Sequence, residues 1–250
     1  IRQCPQGLDE KRCVRLLGII RGRWSPLFHW LSVLYHMAVK VVGFDLDGTL
    51  AGEEFDKLVW NEEIPKLSAA KHNIPLEEAK TRVYADYFKA KYVENVPEWT
   101  NIEFWFARLG LEQSWNKLLQ DMKGKIYLFP ESVQVLKKCA KYKRVIISNS
   151  HPHFLNLKIK IEGLSTFFDE IISTPTFHHK KKSKHLFKDL CDHFGIKPSE
   201  MAFVGNDEED DYDNPRSVGI HAFFLDRSGK QKGEHVVHSL TEFLDKLRDL

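Results

Sequence analysis

The chain contains little cysteine, and the cysteines that it has are not arranged in pairs. Four occur among 250 residues, without a CxxC motif and without regular spacing. This distribution argues against a disulfide framework and against a structural zinc site. We therefore expect free thiols in a reducing compartment and a cytoplasmic location. The four are Cys4, Cys13, Cys139 and Cys191.

Long apolar runs and a strong net charge are also missing. The apolar runs of the first 36 residues, 16–20 and 27–34, are shorter than the roughly 18 residues that a membrane-spanning helix needs, so we expect no membrane partner. The 37 basic and 35 acidic residues leave a net charge of +2, which argues against a nucleic-acid partner. No internal repeat or low-complexity tract is present.

Residues 1–36 differ in composition from the rest of the chain. They carry six basic residues against two acidic ones, and Met37 stands directly before the first strand-like stretch. Our hypothesis is that the native protein starts at Met37 and that residues 1–36 are an upstream read-through or a poorly ordered extension. An amphipathic helix packed on the domain is the alternative.

From residue 40 onward, strand-like and helix-like stretches alternate. Strands separated by helices indicate right-handed βαβ units and a parallel sheet, so we predict an α/β fold with a Rossmann-like core. The segment 52–125 contains no convincing strand and has helical periodicity, for example over 79–92 and 104–119. In a parallel sheet, ligands bind beyond the carboxyl ends of the strands. Polar residues at strand ends are therefore the candidate site.

The stretch KVVGFDLDGTL, residues 40–50, places two carboxylates at the end of an apolar strand. Side chains two positions apart in a strand point to the same side, so Asp45 and Asp47 lie close together. Two carboxylates this close raise each other's pKa unless a cation offsets their charge. The raised pKa is useful where a substrate must be given a proton. A solvated turn is the alternative for this stretch taken alone.

Three further polar groups follow strand-like or loop-like stretches. A cluster of acidic side chains needs a hard cation such as Mg²⁺, while lysines and a serine hydroxyl can donate hydrogen bonds to phosphate oxygens. Each group alone could be a solvated loop or turn, but their order and their placement together indicate phosphoryl transfer. The groups are Ser148-Asn149, the lysines 180, 181, 182 and 184, and the polar run 206–211.

On these motifs the sequence resembles the haloacid dehalogenase-like hydrolase superfamily. Its first motif, DxDGT, is matched by residues 45–49, and its second by Ser148. "KKSKHLF" matches the third motif if Lys181 is the motif lysine, and "FVGNDEEDD" matches the acidic fourth. The resemblance covers about residues 39–250.

Two departures from the superfamily pattern affect the site. Asn206 stands where most relatives have an aspartate, so Asp207, Asp210 or Asp211 would carry the charge. Three consecutive lysines let the third motif shift by one residue, to Lys180 or Lys182.

The resemblance implies a mechanism. Asp45 would attack phosphorus and form an aspartyl-phosphate, and Asp47 would protonate the leaving oxygen and then activate water. Mg²⁺ would be held by Asp45, by the backbone carbonyl of Asp47, and by Asn206 and Asp211. The phosphoryl group would be bound by Thr49, Ser148, Asn149 and Lys181.

The resemblance also implies the domain organisation and a small phosphorylated metabolite as substrate. Residues 37–51 and 126–250 would form the core, and the helical segment 52–125 would be a cap that closes over the site. Magnesium-dependent phosphatase activity is the leading prediction. Dehalogenases of the superfamily lack an acid at the Asp47 position, so the presence of Asp47 favours a phosphatase over a dehalogenase. A phosphomutase on the same core and a non-catalytic magnesium- or phosphate-binding protein remain alternatives.

Overall fold

Within residues 39–250, six strands form one sheet, and all of them are parallel, as the alternating pattern predicts. In the computed structural model the strand order is β3-β2-β1-β4-β5-β6, so the first strand lies between the second and the fourth. Phe44 in β1 pairs with Ile146 in β2 and with Val204 in β4. The carboxyl ends of these three strands therefore lie side by side. The strands are Val41–Phe44, Lys143–Ser148, Glu170–Ser173, Met201–Gly205, His221–Leu225 and Val236–Val237.

The structure describes residues 39–250. The hypotheses about Met37 and residues 1–36 fall outside this range and stay untested.

Helices connect the strands and cover both faces of the sheet. Ser183 accepts a hydrogen bond from the backbone N–H of Leu186 and begins one of these helices, and Gly195 ends the same helix in the left-handed conformation. In chain order, α1 to α10 are Glu54–Leu58, Ile64–His72, Leu76–Phe88, Ile102–Arg108, Trp115–Met122, Ser132–Lys138, Pro152–Ile161, Lys184–Phe194, Asn214–Ser217 and Leu240–Arg248.

The helix expected over 104–119 is two helices, α4 and α5. Gly110 has φ +61°, a conformation that ends a helix, and Ser114 caps the start of α5 by accepting the N–H of Lys117. The apolar periodicity continues across the break because both helices pack on the same core.

Two apolar clusters cover the faces of the sheet. Phe44, Leu155 and Phe243 belong to one, and Phe187 and Phe203 belong to the other. Burial of a side chain of this size stabilises the fold by about 1.5–3 kcal/mol. With both faces covered, the sheet leaves its carboxyl edge as the place where polar groups gather.

The segment 54–125 forms α1 to α5, two π-helical turns and a short 3₁₀ turn, and it contains no strand in the described structure. It has its own apolar cluster, which Phe154 and Leu157 of α7 join from the sheet side. The division into a core and a cap at residues 51/52 and 125/126 stays a prediction.

Among residues 39–250, no helix is both long and apolar enough to span a bilayer.

Candidate active site

Asp45 lies buried at the carboxyl end of β1. Its backbone N–H donates to the carbonyl of Val204, which extends the pairing of β1 with β4 by one residue. The side chain is 5% exposed, and Lys182 Nζ donates to its Oδ1 at 2.6 Å. Thr49 Oγ1 lies 3.4 Å from its other oxygen, Oδ2. Burial raises the pKa of Asp45, and the ammonium of Lys182 opposes that rise.

The turn after Asp47 requires glycine. Gly48 has φ +82°, and a Cβ at this position would lie 2.3 Å from the side chain of Asn206. Its N–H donates to the carbonyl of Ala51 at 2.7 Å, which closes the turn. Any other residue here would both strain the backbone and displace Asn206.

The structure brings Lys182, and not Lys181, to Asp45. Asn149 Oδ1 accepts the backbone N–H of Lys182 at 2.8 Å, and Asn214 Nδ2 donates to its carbonyl at 2.9 Å. These two bonds hold the backbone so that the Lys182 side chain points inward, where it is 2% exposed. Lys181 instead contacts Glu209 at 2.6 Å and is 42% exposed. Lys182, one residue along from the lysine that the third motif favours, is therefore the lysine that lies beside Asp45.

Lys182 also contacts Asp211, which is 1% exposed. Burial alone would lower the pKa of Lys182, but the carboxylates of Asp211 and Asp45 outweigh burial and raise it. Asp211 further accepts the backbone N–H of Asp207 at 3.0 Å. Its carboxylate is thus engaged with a lysine and a backbone donor rather than with Asn206.

Ser148 and Asn149 follow β2 and lie beside this cluster. The Ser148 hydroxyl is buried and accepts the backbone N–H of Ser150 at 3.1 Å. Asn149 Nδ2 donates to Asp210 Oδ2 at 2.7 Å, while its oxygen is taken by Lys182. Both ends of the Asn149 amide are therefore used within the protein.

Oxygen atoms from three residues meet next to the Gly48 turn. The amide oxygen of Asn206 accepts from Thr49 Oγ1 at 3.1 Å and lies 2.7 Å from the carbonyl of Asp47 and 3.3 Å from Asp45 Oδ2. Three oxygens at this spacing suit a hard cation that keeps several waters. Rotating the amide would place Nδ2 there, with its two N–H groups within hydrogen-bonding distance of all three neighbours. The Asn206 amide can thus present its oxygen to a cation or, when rotated, donate hydrogen bonds to the neighbouring oxygens.

Side-chain carboxylates contribute little to this oxygen group. Residues 39–250 hold no cluster of three or more histidine, cysteine, aspartate or glutamate side chains suited to a metal ion. Asp45 is the one carboxylate among the three oxygens described above. These three oxygen donors fit Mg²⁺. With Asn206 in place of a second aspartate, they carry one negative charge fewer.

Asp47 is held by two residues that the motifs do not include. Lys158 Nζ donates to Asp47 Oδ1 at 2.5 Å, and Ser150 Oγ donates to Oδ2 at 2.8 Å. Lys158 is 1% exposed and also contacts Asp56 of α1. Burial alone would lower the pKa of Lys158, but Asp47 and Asp56 raise it.

A cleft of about 530 Å³ opens over Asp47 between α7 and the helical segment. Its wall is largely aromatic and includes Trp60, Tyr87, Phe88, Tyr92, Trp99 and Phe154. Trp60 stacks on Phe154 with ring centroids 5.3 Å apart. The cleft therefore offers an apolar, flat-sided space next to the carboxylates.

Comparison with known proteins identifies the family. The family described as haloacid dehalogenase-like hydrolase matches residues 39–213, more than half of the chain. The chain belongs to the haloacid dehalogenase-like hydrolase family.

A curated relative agrees with this assignment, and solved structures match the fold. The GMP/IMP nucleotidase YrfG of Escherichia coli is 27% identical over 174 residues, 68% of this chain and 75% of that protein. The fold matches a HAD phosphatase from Thermococcus onnurineus with a TM-score of 0.72 and 24% identity, over 84% of this chain and 98% of the other. It also matches an L-2-haloacid dehalogenase from Xanthobacter autotrophicus with a TM-score of 0.54 and 19% identity, over 85% and 99%.

In this haloacid dehalogenase-like hydrolase, the sequence reveals some site residues and hides others. Lys158 lies in a helix one turn after Phe154 and next to Leu157 and Ile159, all buried. A lysine on an apolar helix face was the available signal for a buried charge. Ser150 and Asp56 carried no comparable signal, since both lie in polar surroundings in the sequence.

Proposed function

We propose that this protein is a magnesium-dependent phosphatase that hydrolyses a small phosphorylated metabolite through an aspartyl-phosphate at Asp45. The contact of the Asp45 carboxylate with the buried Lys182 ammonium, at the strand end that also presents Asp47, carries the proposal. A buried carboxylate in this position can attack phosphorus, and the ammonium beside it offsets the negative charge of the incoming phosphoryl group. Membership of a hydrolase family supports it.

The reaction has two steps. In the first, an oxygen of Asp45 bonds to phosphorus, the bond from phosphorus to the leaving oxygen breaks, and Asp47 gives that oxygen its proton. In the second, Asp47 takes a proton from water, the water oxygen bonds to phosphorus, and the Asp45 carboxylate is released with inorganic phosphate. One carboxyl therefore serves as acid and then as base, which accounts for two acids at one strand end.

We assign the phosphoryl group to Lys182, Thr49 and the Ser148 hydroxyl. The Ser148 oxygen accepts the Ser150 N–H, so the hydroxyl proton points elsewhere and can be donated to a phosphoryl oxygen. Asn149, expected as a phosphate ligand, fits a positioning role better because its amide fixes the backbone of Lys182. Lys182 replaces Lys181 in the proposal because its ammonium contacts Asp45.

We assign magnesium to Asp45, the carbonyl of Asp47 and the side chain of Asn206. Bound there, magnesium would neutralise phosphoryl charge in the transition state. Asp211, expected as a fourth ligand, is assigned instead to holding Lys182, because its carboxylate contacts that lysine.

The aromatic cleft supports a planar leaving group. Flat aromatic walls favour a stacked ring over an open-chain alcohol. The relative named a GMP/IMP nucleotidase points in the same direction, toward a nucleoside monophosphate. A phosphomutase with the same core remains the second candidate. The cleft is open to water at the exposed side chains of Phe88 and Tyr92, which favours hydrolysis over phosphoryl transfer to a second substrate position.

The test is release of inorganic phosphate from p-nitrophenyl phosphate, GMP, IMP and glycerol phosphate, with Mg²⁺ and with a chelator. We expect metal-dependent release, with the nucleotides favoured over glycerol phosphate. Chloropropionic acid serves as a second substrate, because chloride release from it would indicate a dehalogenase. Folded protein that releases no phosphate from any ester at any magnesium concentration would overturn the proposal.

A further inference from the structure

Lys158 occupies an unusual place for a lysine. Its side chain is 1% exposed, in the middle of helix α7, and its ammonium lies between a carboxylate of the sheet edge, Asp47, and one of the helical segment, Asp56. The rings of Phe55 and Phe154 lie 5.7 and 5.9 Å from the ammonium. A buried charge is costly, and a pair of apolar residues of the same size often stabilises a fold as well or better. This arrangement therefore suggests a function beyond stability.

The contacts of Lys158 fix the orientation of the Asp47 carboxyl. Lys158 holds Oδ1 at 2.5 Å and Ser150 holds Oδ2 at 2.8 Å, so the carboxyl plane is set by one bond on each oxygen. Asp47 is 20% exposed, and it is also one of the cleft residues. The part of Asp47 that remains open therefore faces the space in which a leaving group would lie.

We propose that Lys158, braced by Asp56, is a positioning residue that holds Asp47 at the angle required for proton transfer to the leaving oxygen. The inference rests on the proposed phosphatase activity. It adds a residue from helix α7 and a residue from the helical segment to the machinery of the sheet edge. Through Asp56, the position of α1 then governs the orientation of Asp47.

Proton donation matters in proportion to how poor the leaving group is. A proton from Asp47 assists an alkoxide strongly and is hardly needed by a dinitrophenolate, which leaves without it. A positioned general acid contributes about 10²–10⁴-fold. Loss of positioning therefore lowers kcat/KM for an alkyl phosphate and spares that for an activated aryl phosphate. General loosening of the fold would lower both alike.

The experiment compares Lys158→Met with the natural protein on glycerol phosphate and on 2,4-dinitrophenyl phosphate. We expect kcat/KM to fall about 10²-fold on the first and less than about threefold on the second. Lys160→Met, an exposed lysine two residues along the same helix, is the matched control and should change neither value. Asp47→Asn should reproduce the pattern of Lys158→Met, with a larger drop on the first substrate.

Removing Lys158 leaves Asp56 without its partner, so the double variant Lys158→Met with Asp56→Asn is measured as well, together with thermal unfolding of each protein. The same selective loss in the double variant would support the inference. An equal drop on both substrates in the double variant, or no drop on either, would overturn it. Absence of turnover by the natural protein on both substrates would instead overturn the proposed function, which separates the two failures.

Discussion

The carboxyl edge of the sheet and the wall of the aromatic cleft are built on opposite principles. At the sheet edge, Asp45, Lys182 and Asp211 are almost fully buried, and both carboxylates contact the Lys182 ammonium. On the cleft wall, Phe88 and Tyr92 are 61% and 63% exposed, at the end of α3 and on the π-helical turn after it. Charges are thus held inside, and apolar rings are presented to solvent.

We interpret this contrast as a separation of reaction from recognition. Buried charges must be paired with accurate geometry, so the sheet edge tolerates little change and suits a fixed chemical step. Neighbouring exposed aromatic side chains form an apolar patch, which makes the cleft wall a candidate binding surface. Substitutions at the edge should therefore act on kcat, and substitutions on the wall should act on KM.

The largest effect is expected for Asp45→Asn. The amide cannot form the phosphoryl bond, so kcat should fall by about 10⁴-fold or more. The substitution also removes a buried carboxylate, while Asp211 continues to pair with Lys182, so thermal stability should not fall sharply. Phosphate release and thermal unfolding measure the two effects. A variant with more than a tenth of the natural rate would contradict the assignment of Asp45.

The next effect separates the consecutive lysines. Lys182→Met should lower kcat about 10²- to 10³-fold, because an ammonium beside the transferred group is lost. Lys181→Met, whose side chain is exposed and pairs with Glu209, should change kcat less than about threefold. Steady-state kinetics of both variants on one substrate is the measurement. A larger loss for Lys181 than for Lys182 would restore the lysine frame that the sequence favours.

A smaller effect is expected at the metal position. Asn206→Asp adds a carboxylate to the oxygens of Asp45 and Asp47, so the Mg²⁺ concentration for half-maximal activity should fall about tenfold. Without magnesium, the added charge lies near Asp45 and should lower the unfolding temperature. Titration of activity with Mg²⁺, and thermal unfolding with and without it, report on both. Unchanged magnesium dependence would place the metal elsewhere.

The smallest effect is expected on the cleft wall. Tyr92→Ala should raise KM for an aromatic substrate about fivefold, which corresponds to loss of one ring contact, and should leave kcat unchanged. Val93→Ala is the control, because Val93 is the neighbouring residue, is 68% exposed, and is not part of the cleft wall. Equal KM values for Tyr92→Ala and the natural protein would show that recognition does not involve this ring.

The fold and the first motif could be predicted because their signals are local. The apolar run 41–44 specifies a strand, and Asp45 and Asp47 follow directly after its end. Ser183 and Gly195 specify the ends of α8 equally well. Each of these patterns depends on residues within a few positions of one another.

Other parts of the site depend on contacts between distant residues, which a single sequence does not show. Three consecutive lysines are equivalent until Asn149 and Asn214, 33 and 32 residues away from Lys182, hold its backbone. Lys158 lies 111 residues from Asp47, and nothing near either residue indicates the pairing. The segment 52–125 is rich in aromatic residues, and the sequence does not show which of them are exposed on the cleft wall.

The central claim is that Asp45 becomes phosphorylated, and trapping that species tests it most directly. The natural protein would be mixed with substrate and Mg²⁺, quenched within a turnover, treated with borohydride and digested for mass spectrometry. An aspartyl-phosphate is reduced to homoserine, so the account predicts homoserine at position 45, dependent on substrate and absent from Asp45→Asn. Turnover that proceeds with Asp45 unmodified, or homoserine at a different aspartate, would contradict it.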